Sequence, residues 1–169
     1  LNLFRQSSNE SKVLRYGENP HQSGIFYGNF EGLFDRLNGK EISYNNLLDI
    51  DAAISLLTEF QEPTVVIVKH NNACGLASRK TIEKAWDDAL AGDPVSAFGG
   101  VICVNQNVSV ELAEKMNSLF FEVLIAPDFD VKALEILASK KNRIILKSKK
   151  IDFPEFMSRS ALNGILVQS

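Results

Sequence analysis

Lys69 and His70 have the residue types and the setting for chemistry, ending the run of apolar residues in VVIVKHNNACGLA, residues 65–77. Four β-branched residues, Val65 to Val68, lead directly into them, and His70 is one of only two histidines in the 169-residue chain. A lysine desolvated at a strand end loses part of its preference for the charged form, which suits it to act as an acid or as a partner for an oxyanion. A neighbouring histidine is the natural proton acceptor near neutral pH. Asn71, Asn72, Ala73 and Gly75 follow. They are small or turn-forming, so their backbone N–H groups can line a pocket. A surface lysine beside a hydrogen-bonded histidine is the plainer alternative; the position after a β-branched strand favours chemistry.

Three further polar segments belong with this one. In LRYGENPHQ, residues 14–22, Arg15 offers a planar fork of donors for a phosphate or a carboxylate, and Tyr16 adds a hydroxyl. The same residues would serve a structured surface loop with Arg15 in an ion pair. Gly17 and Pro20 fix the backbone path that aims His21. In ISYNNLLDIDAA, residues 42–53, Asn and Asp before a helix usually cap it, so Asn45 and Asn46 read as structural rather than as ligand contacts. In GDPVSAFGGVICVN, residues 92–105, Phe98-Gly99-Gly100 lets backbone approach a ligand beneath an aromatic ring, or simply turns into a strand. Glu122, between apolar residues in FFEVLIAP, needs a partner, an unusual pKa, or an outlet to water. No phosphate-binding glycine motif of the G-x-x-x-x-G-K-[ST] or G-x-G-x-x-G type occurs.

Composition narrows the class. At 45% hydrophobic and 23% charged, the chain is an ordinary globular sequence near the size of one domain. Its net charge of −3 argues against a nucleic-acid or anionic-membrane surface. Cys74 and Cys103 do not form Cys-x-x-Cys, so neither a zinc site nor a redox dithiol is indicated; two buried free thiols in a reducing cytoplasm are expected. No apolar run approaches the roughly 20 residues that span a bilayer. Both ends look cut from something longer.

The elements that must position these residues follow from periodicity. Residues 1–12 read as a flexible lead-in, polar from residue 5, and 13–48 as loop with short extended pieces, including 24–28. Ile50, Ala53, Ile54, Leu57 and Phe60 mark one face of a helix from Asp49, closed by Pro63. A strand at 65–68, unbroken as in a sheet covered on both sides, comes next. Helices are predicted at 79–91, 109–120 and 130–140, with Gly92 as a cap. Strands are predicted at 100–104, 124–126, 143–147 and 163–168. This alternation argues for an α/β layered domain with a substantially parallel sheet. In such sheets ligands gather at the carboxyl ends of strands, where Lys69 and His70 fall.

In this order, LRYGENPHQ, ISYNNLLDIDAA, KHNNACGLA and DPVSAFGGV resemble the transformylase region of bifunctional purine biosynthesis proteins, which join AICAR transformylase to IMP cyclohydrolase. The resemblance runs from about Leu14 to Gln168 and includes RSALNGILVQ. It implies a three-layer cytidine deaminase-like α/β fold with a mixed, largely parallel sheet and no zinc, residues 13–169 being the first of two such subdomains. It also implies formyl transfer from 10-formyltetrahydrofolate, as co-substrate, to the 5-amino group of AICAR. The catalytic pair falls on Lys69 and His70. The phosphate-side residues fall on Arg15 and Tyr16, and further substrate contacts on His21, Phe98, Gly99 and Glu122. Potassium belongs to the full domain and is not bound by these residues. AICAR and folate are the implied partners, with no nucleic acid and no membrane, in a cytoplasmic protein that is a homodimer at full length. Many relatives have Pro where this chain has Ala73, which leaves the turn with a freer backbone. The cyclohydrolase domain and the second subdomain would lie outside residues 1–169, so the fragment alone is expected to be inactive or weak. A non-catalytic nucleotide-binding module on the same fold is the alternative, and a zinc deaminase is disfavoured for want of a Pro-Cys-x-x-Cys.

Overall fold

The computed structural model describes residues 5–151 and 154–168. Its centre is β4 (Thr64–Lys69), in which residues 64–68 are all buried. Side chains alternate across a strand, and here Val65 and Ile67 enter one core while Val66 and Val68 enter the other. The unbroken β-branched run is therefore a strand covered on both sides, as its composition predicts. The first core is closed by α3 (Ile82–Gly92), α4 (Val110–Asn117) and α5 (Val131–Ala138), through residues such as Trp86, Leu112 and Leu137. The second is closed by α2 (Tyr44–Leu57) together with Phe30 and Phe34. Helix, sheet and helix form three layers.

The main sheet has six strands: β3 (Phe34–Asn38), β8 (Ile144–Ser148), β7 (Val123–Ala126), β6 (Val101–Val104), β4 and β5 (Asn72–Ser78), in that spatial order. Only β6–β7 and β7–β8 are parallel; β3–β8, β6–β4 and β4–β5 are antiparallel. The sheet is mixed as expected, but it is not largely parallel. The reason is β5. Its residues, Asn-Ala-Cys-Gly-Leu-Ala-Ser, carry no β-branched signal, yet they pair with β4 through a two-residue turn, because cross-strand packing outweighs intrinsic propensity. Gly75 permits this: a side chain there would collide with the Ala89 carbonyl of α3.

Other boundaries move for local reasons. Helix α2 starts at Tyr44 rather than Asp49, because Ser43 accepts from Asn46 N–H while the Asn46 side chain accepts from Ser43 N–H, a reciprocal capping box. The structural reading of Asn46 holds, and Phe60 lies beyond the helix. Gly92 is the last residue of α3 rather than a left-handed cap, and Asp93 leaves the helix at φ −154° and ψ 85°. Within residues 13–48, β2 (Ile25–Tyr27), α1 (Phe30–Leu33) and β3 are ordered elements. Ser11 and Lys12, assigned to the lead-in, belong to β1 (Ser11–Val13), which pairs with β2. The last predicted strand is β10 (Gly164–Gln168); it forms a separate hairpin with β9 (Met157–Ala161) and does not join the main sheet. No helix among the described residues is long and apolar enough to cross a membrane.

Candidate active site

Because β4 runs antiparallel to β6, its carboxyl end meets the amino ends of β6, β7 and β8. The expectation that the ligand edge collects strand carboxyl ends thus holds for β4 and β3, but not for β6, β7 and β8. Gly99 and Gly100 stand just before β6, Glu122 just before β7 and Arg143 just before β8. Strand β3 arrives antiparallel to β8 and ends at Asn38. One sheet edge therefore gathers residues that are far apart in sequence.

At this edge β4 turns into β5 through His70 (φ 52°) and Asn71 (φ 61°). Two consecutive left-handed residues define the tight turn whose twist matches a hairpin. Histidine and asparagine tolerate that conformation better than most residues. The Asn71 N–H donates to Asp49 Oδ1 of α2 at 2.6 Å, and Asn72 Nδ2 donates to the His70 carbonyl at 2.8 Å. His70 itself is exposed.

Lys69 is half-buried, and its Nζ donates to the Gly99 carbonyl at 2.7 Å. An ammonium has three donors, so two remain for a substrate. Gly99 has φ 70°, and a Cβ there would stand 3.0 Å from Lys69 Nζ. Its N–H donates to the Phe120 carbonyl at 2.8 Å, and the exposed rings of Phe98 and Phe120 lie 5.0 Å apart. Glu122 N–H donates to the Gly100 carbonyl at 2.9 Å, and the Glu122 carboxylate pairs with Lys40 at 2.7 Å. The carboxylate between apolar residues thus has a cation partner. Lys69 is thus joined directly to Gly99, while Glu122 approaches this turn through its backbone bond to Gly100 and turns its carboxylate to Lys40.

Arg15, Tyr16 and His21 form a second group. The Tyr16 carbonyl accepts from Tyr44 N–H at 3.1 Å, and Asn45 Nδ2 donates to the Glu18 carbonyl at 2.9 Å. Asn45 contacts the chain's own loop here, consistent with its structural reading. Arg15 Nη2 donates to the Tyr16 hydroxyl at 2.8 Å, its guanidinium 4.5 Å from the ring centre. No carboxylate among the described residues pairs with Arg15, so the ion-pair alternative for that loop is not realised. His21 lines a polar groove of about 660 Å³ with Glu18, Gln22, Ser23 and Tyr44. Among the described residues no hydrogen bond joins Arg15, Tyr16 or His21 to Lys69 or His70. Their common support is α2: Asn45 holds the loop and Asp49 the turn, four residues apart on one helix face.

Lys40 and Arg143 were not singled out from sequence, and Asp49 entered only as the start of a helix. Lys40 lies in a turn with no pattern to mark it. Arg143 is 4% exposed. It donates to Asn117 Oδ1 at 2.8 Å and to the Leu137 and Leu119 carbonyls, and stacks 4.1 Å from the Phe121 ring centre. Burial lowers its pKa. It forms the floor of a groove of about 580 Å³ shared with Lys40, Phe120, Glu122 and Lys140. Cys103 is buried as expected and its thiol is pushed up to about 12; Cys74, also expected to be buried, is half-buried because β5 lies at the sheet edge, and burial raises its thiol. Among the described residues no three His, Cys, Asp or Glu side chains converge on a point that would hold a metal ion.

The edge can therefore present an ammonium, an imidazole and a backbone turn to a small reacting group, with a guanidinium–phenol pair on the same helical support. Residues 2–169 match the family described as AICARFT/IMPCHase bienzyme. The bifunctional purine biosynthesis protein PurH of Bacteroides thetaiotaomicron is 62% identical over 165 residues, covering 98% of this chain and 32% of that protein. Its counterpart in Lacticaseibacillus casei is 45% identical, covering 98% of this chain and 34% of that protein. The chain thus spans about a third of the length of these curated relatives. With a match over nearly its whole length, the chain belongs to the AICARFT/IMPCHase bienzyme family.

Proposed function

We propose that this chain supplies the Lys-His side of a formyl-transfer site. The substrate is the 5-amino group of AICAR and the donor is 10-formyltetrahydrofolate. The amine nitrogen bonds to the formyl carbon, the bond from that carbon to the folate nitrogen breaks, and FAICAR forms. His70 accepts the proton that leaves the amine. Lys69 faces the oxyanion of the tetrahedral intermediate, and a proton returns to the departing folate nitrogen. Arg15 and Tyr16 bind the phosphate; His21, Phe98, Gly99 and Glu122 complete this side of the nucleotide pocket. In the full-length protein FAICAR is then closed to IMP by the cyclohydrolase domain.

One observation carries the reading: Lys69 Nζ is held 2.7 Å from the Gly99 carbonyl beside an exposed His70, at an edge that also presents Glu122. Residues 13–169 are the first of two cytidine deaminase-like subdomains in this reading, consistent with the order β5-β4-β6-β7-β8 and an antiparallel β4. Potassium and most folate contacts belong to parts outside this chain, and the full protein is a homodimer in the cytoplasm.

The test is steady-state formyl transfer by the full-length protein. Lys69→Ala should lower kcat by about 10²–10³-fold, in the range of losing one oxyanion donor. His70→Ala should lower it by about 10²–10⁴-fold. Residues 1–169 alone should show little or no turnover. Near wild-type transfer by either variant would overturn the assignment, and binding of AICAR without transfer by the intact full-length protein would favour a non-catalytic nucleotide module.

A further inference from the structure

We infer that Asp49 is a positioning residue for this transfer, holding His70 in place through the backbone of Asn71. The inference rests on the proposed role of His70. The turn between β4 and β5 requires two consecutive non-glycine residues in the left-handed region, His70 at φ 52° and Asn71 at φ 61°. Each such residue sits in a sparsely populated conformation that persists only when its surroundings hold it there. Hairpin pairing fixes the two ends, Lys69 and Asn72, but not the orientation of the peptide between His70 and Asn71. Two contacts settle that orientation. Asn72 Nδ2 holds the His70 carbonyl at 2.8 Å, and Asp49 Oδ1 holds the Asn71 N–H at 2.6 Å. These two groups belong to the same peptide unit. It is clamped at both ends, and the imidazole leaves the chain one bond upstream.

The anchor for the clamp is firm. Asp49 is half-buried on α2, with buried Ile50 and Ala53 beside it in the second core. Its carboxylate has no cation partner among the described residues and accepts from the Asn71 N–H. A charged acceptor makes a shorter and stronger bond than a neutral one. One turn earlier, Asn45 holds the loop that carries Arg15, Tyr16 and His21. The same helix face therefore sets the phosphate-side loop and the proton-accepting turn at a fixed spacing. Asp49 reaches the reacting atoms only through His70.

The experiment has two arms. In the first, the backbone of residues 1–169 is followed by NMR, using the amide–α-proton couplings of His70 and Asn71. Asp49→Ala should take both residues out of positive φ, whereas Asp49→Asn, which keeps an acceptor oxygen, should leave them there. In the second arm the same variants are made in the full-length protein. Asp49→Ala should lower kcat by about 10–100-fold, as expected for a misplaced catalytic group, with KM for AICAR unchanged within twofold. Asp49→Asn should restore most of the rate. Should Asp49→Ala not fold, Asp49→Glu carries the same test by moving the carboxylate outward by one methylene, with the same fall in kcat at constant KM. A turn that keeps positive φ in Asp49→Ala overturns the inference. So does a shifted turn with unchanged kcat while His70→Ala abolishes transfer. If His70→Ala also leaves transfer intact, the role of His70 is what fails, and the inference falls with it.

Discussion

Arg143 offers the sharpest test of how the site edge is built. It is a buried cation with no carboxylate partner among the described residues. Its compensation is neutral: Asn117 Oδ1 and the Leu119 carbonyl at the end of α4, the Leu137 carbonyl at the end of α5, and the Phe121 ring. The carbonyls at a helix carboxyl end have no partner within the helix, and the helix dipole places partial negative charge there. One guanidinium thus ties two helix ends to the start of β8. Arg143→Met keeps most of the side-chain volume and removes every donor. The Leu137 carbonyl, the one acceptor of the three in a buried bond, costs about 1–3 kcal/mol when left without a partner, and the lost ring contact costs about 1–2 kcal/mol at a desolvated site. Removing the charge returns part of the burial penalty that lowers the Arg143 pKa. The net destabilisation is about 2–4 kcal/mol, in the upper range for a single substitution. Urea unfolding followed by circular dichroism reads this directly. With a slope of about 2 kcal/mol per M, the midpoint falls by about 1–2 M. A midpoint within about 0.3 M of wild type at unchanged slope would refute the view that these helix ends depend on Arg143.

Two further outcomes are expected. Gly99→Ala places a side chain at φ 70°, with its Cβ 3.0 Å from Lys69 Nζ; the left-handed penalty of about 1–2 kcal/mol lowers Tm by about 2–8 °C, and a Tm equal to wild type would contradict it. Cys103, pushed up to about 12, should resist a thiol reagent at pH 8 in the folded chain, whereas half-buried Cys74 reacts slowly. Because its folded pKa lies above the unfolded value of about 8.5, Cys103 contributes stability that is full below that value and lost as pH rises toward about 12. Cys103→Ala should flatten that alkaline decline, and an unchanged decline would count against the raised thiol.

The sequence made visible what depends on near neighbours. The helix predicted at 109–120 is α4, whose buried Leu112, Ala113 and Met116 are near neighbours in sequence, and the β-branched run marked β4. The polar ending of that run marked the sheet edge proposed above as the site of transfer. What escaped depends on partners distant in the chain. The weak composition of β5 hides a strand that only β4 can recruit. Asn45 and Asn46 disfavour helix by propensity, so the first turn of α2 was invisible until Ser43 and Asn46 were seen to cap each other. The apolar setting of Glu122 announced the need for a partner, but nothing local identified Lys40. Arg143 read as the polar start of a strand, and its burial follows from two helices ending over it.

The pairing of β3 with β8 also has a kinetic side. Lys149 Nζ bonds the Glu31 carbonyl across 118 residues, and β3 has no other partner in the sheet. Such long-range closure is slow compared with the two-residue turn that joins β4 to β5. During synthesis at about 5–20 residues per second, β3 waits on the order of ten seconds for β8 to be made. The amino-terminal stretch, with Arg15, Tyr16 and His21, precedes β3. It is translated before β3, yet the sheet anchor that follows it waits for β8.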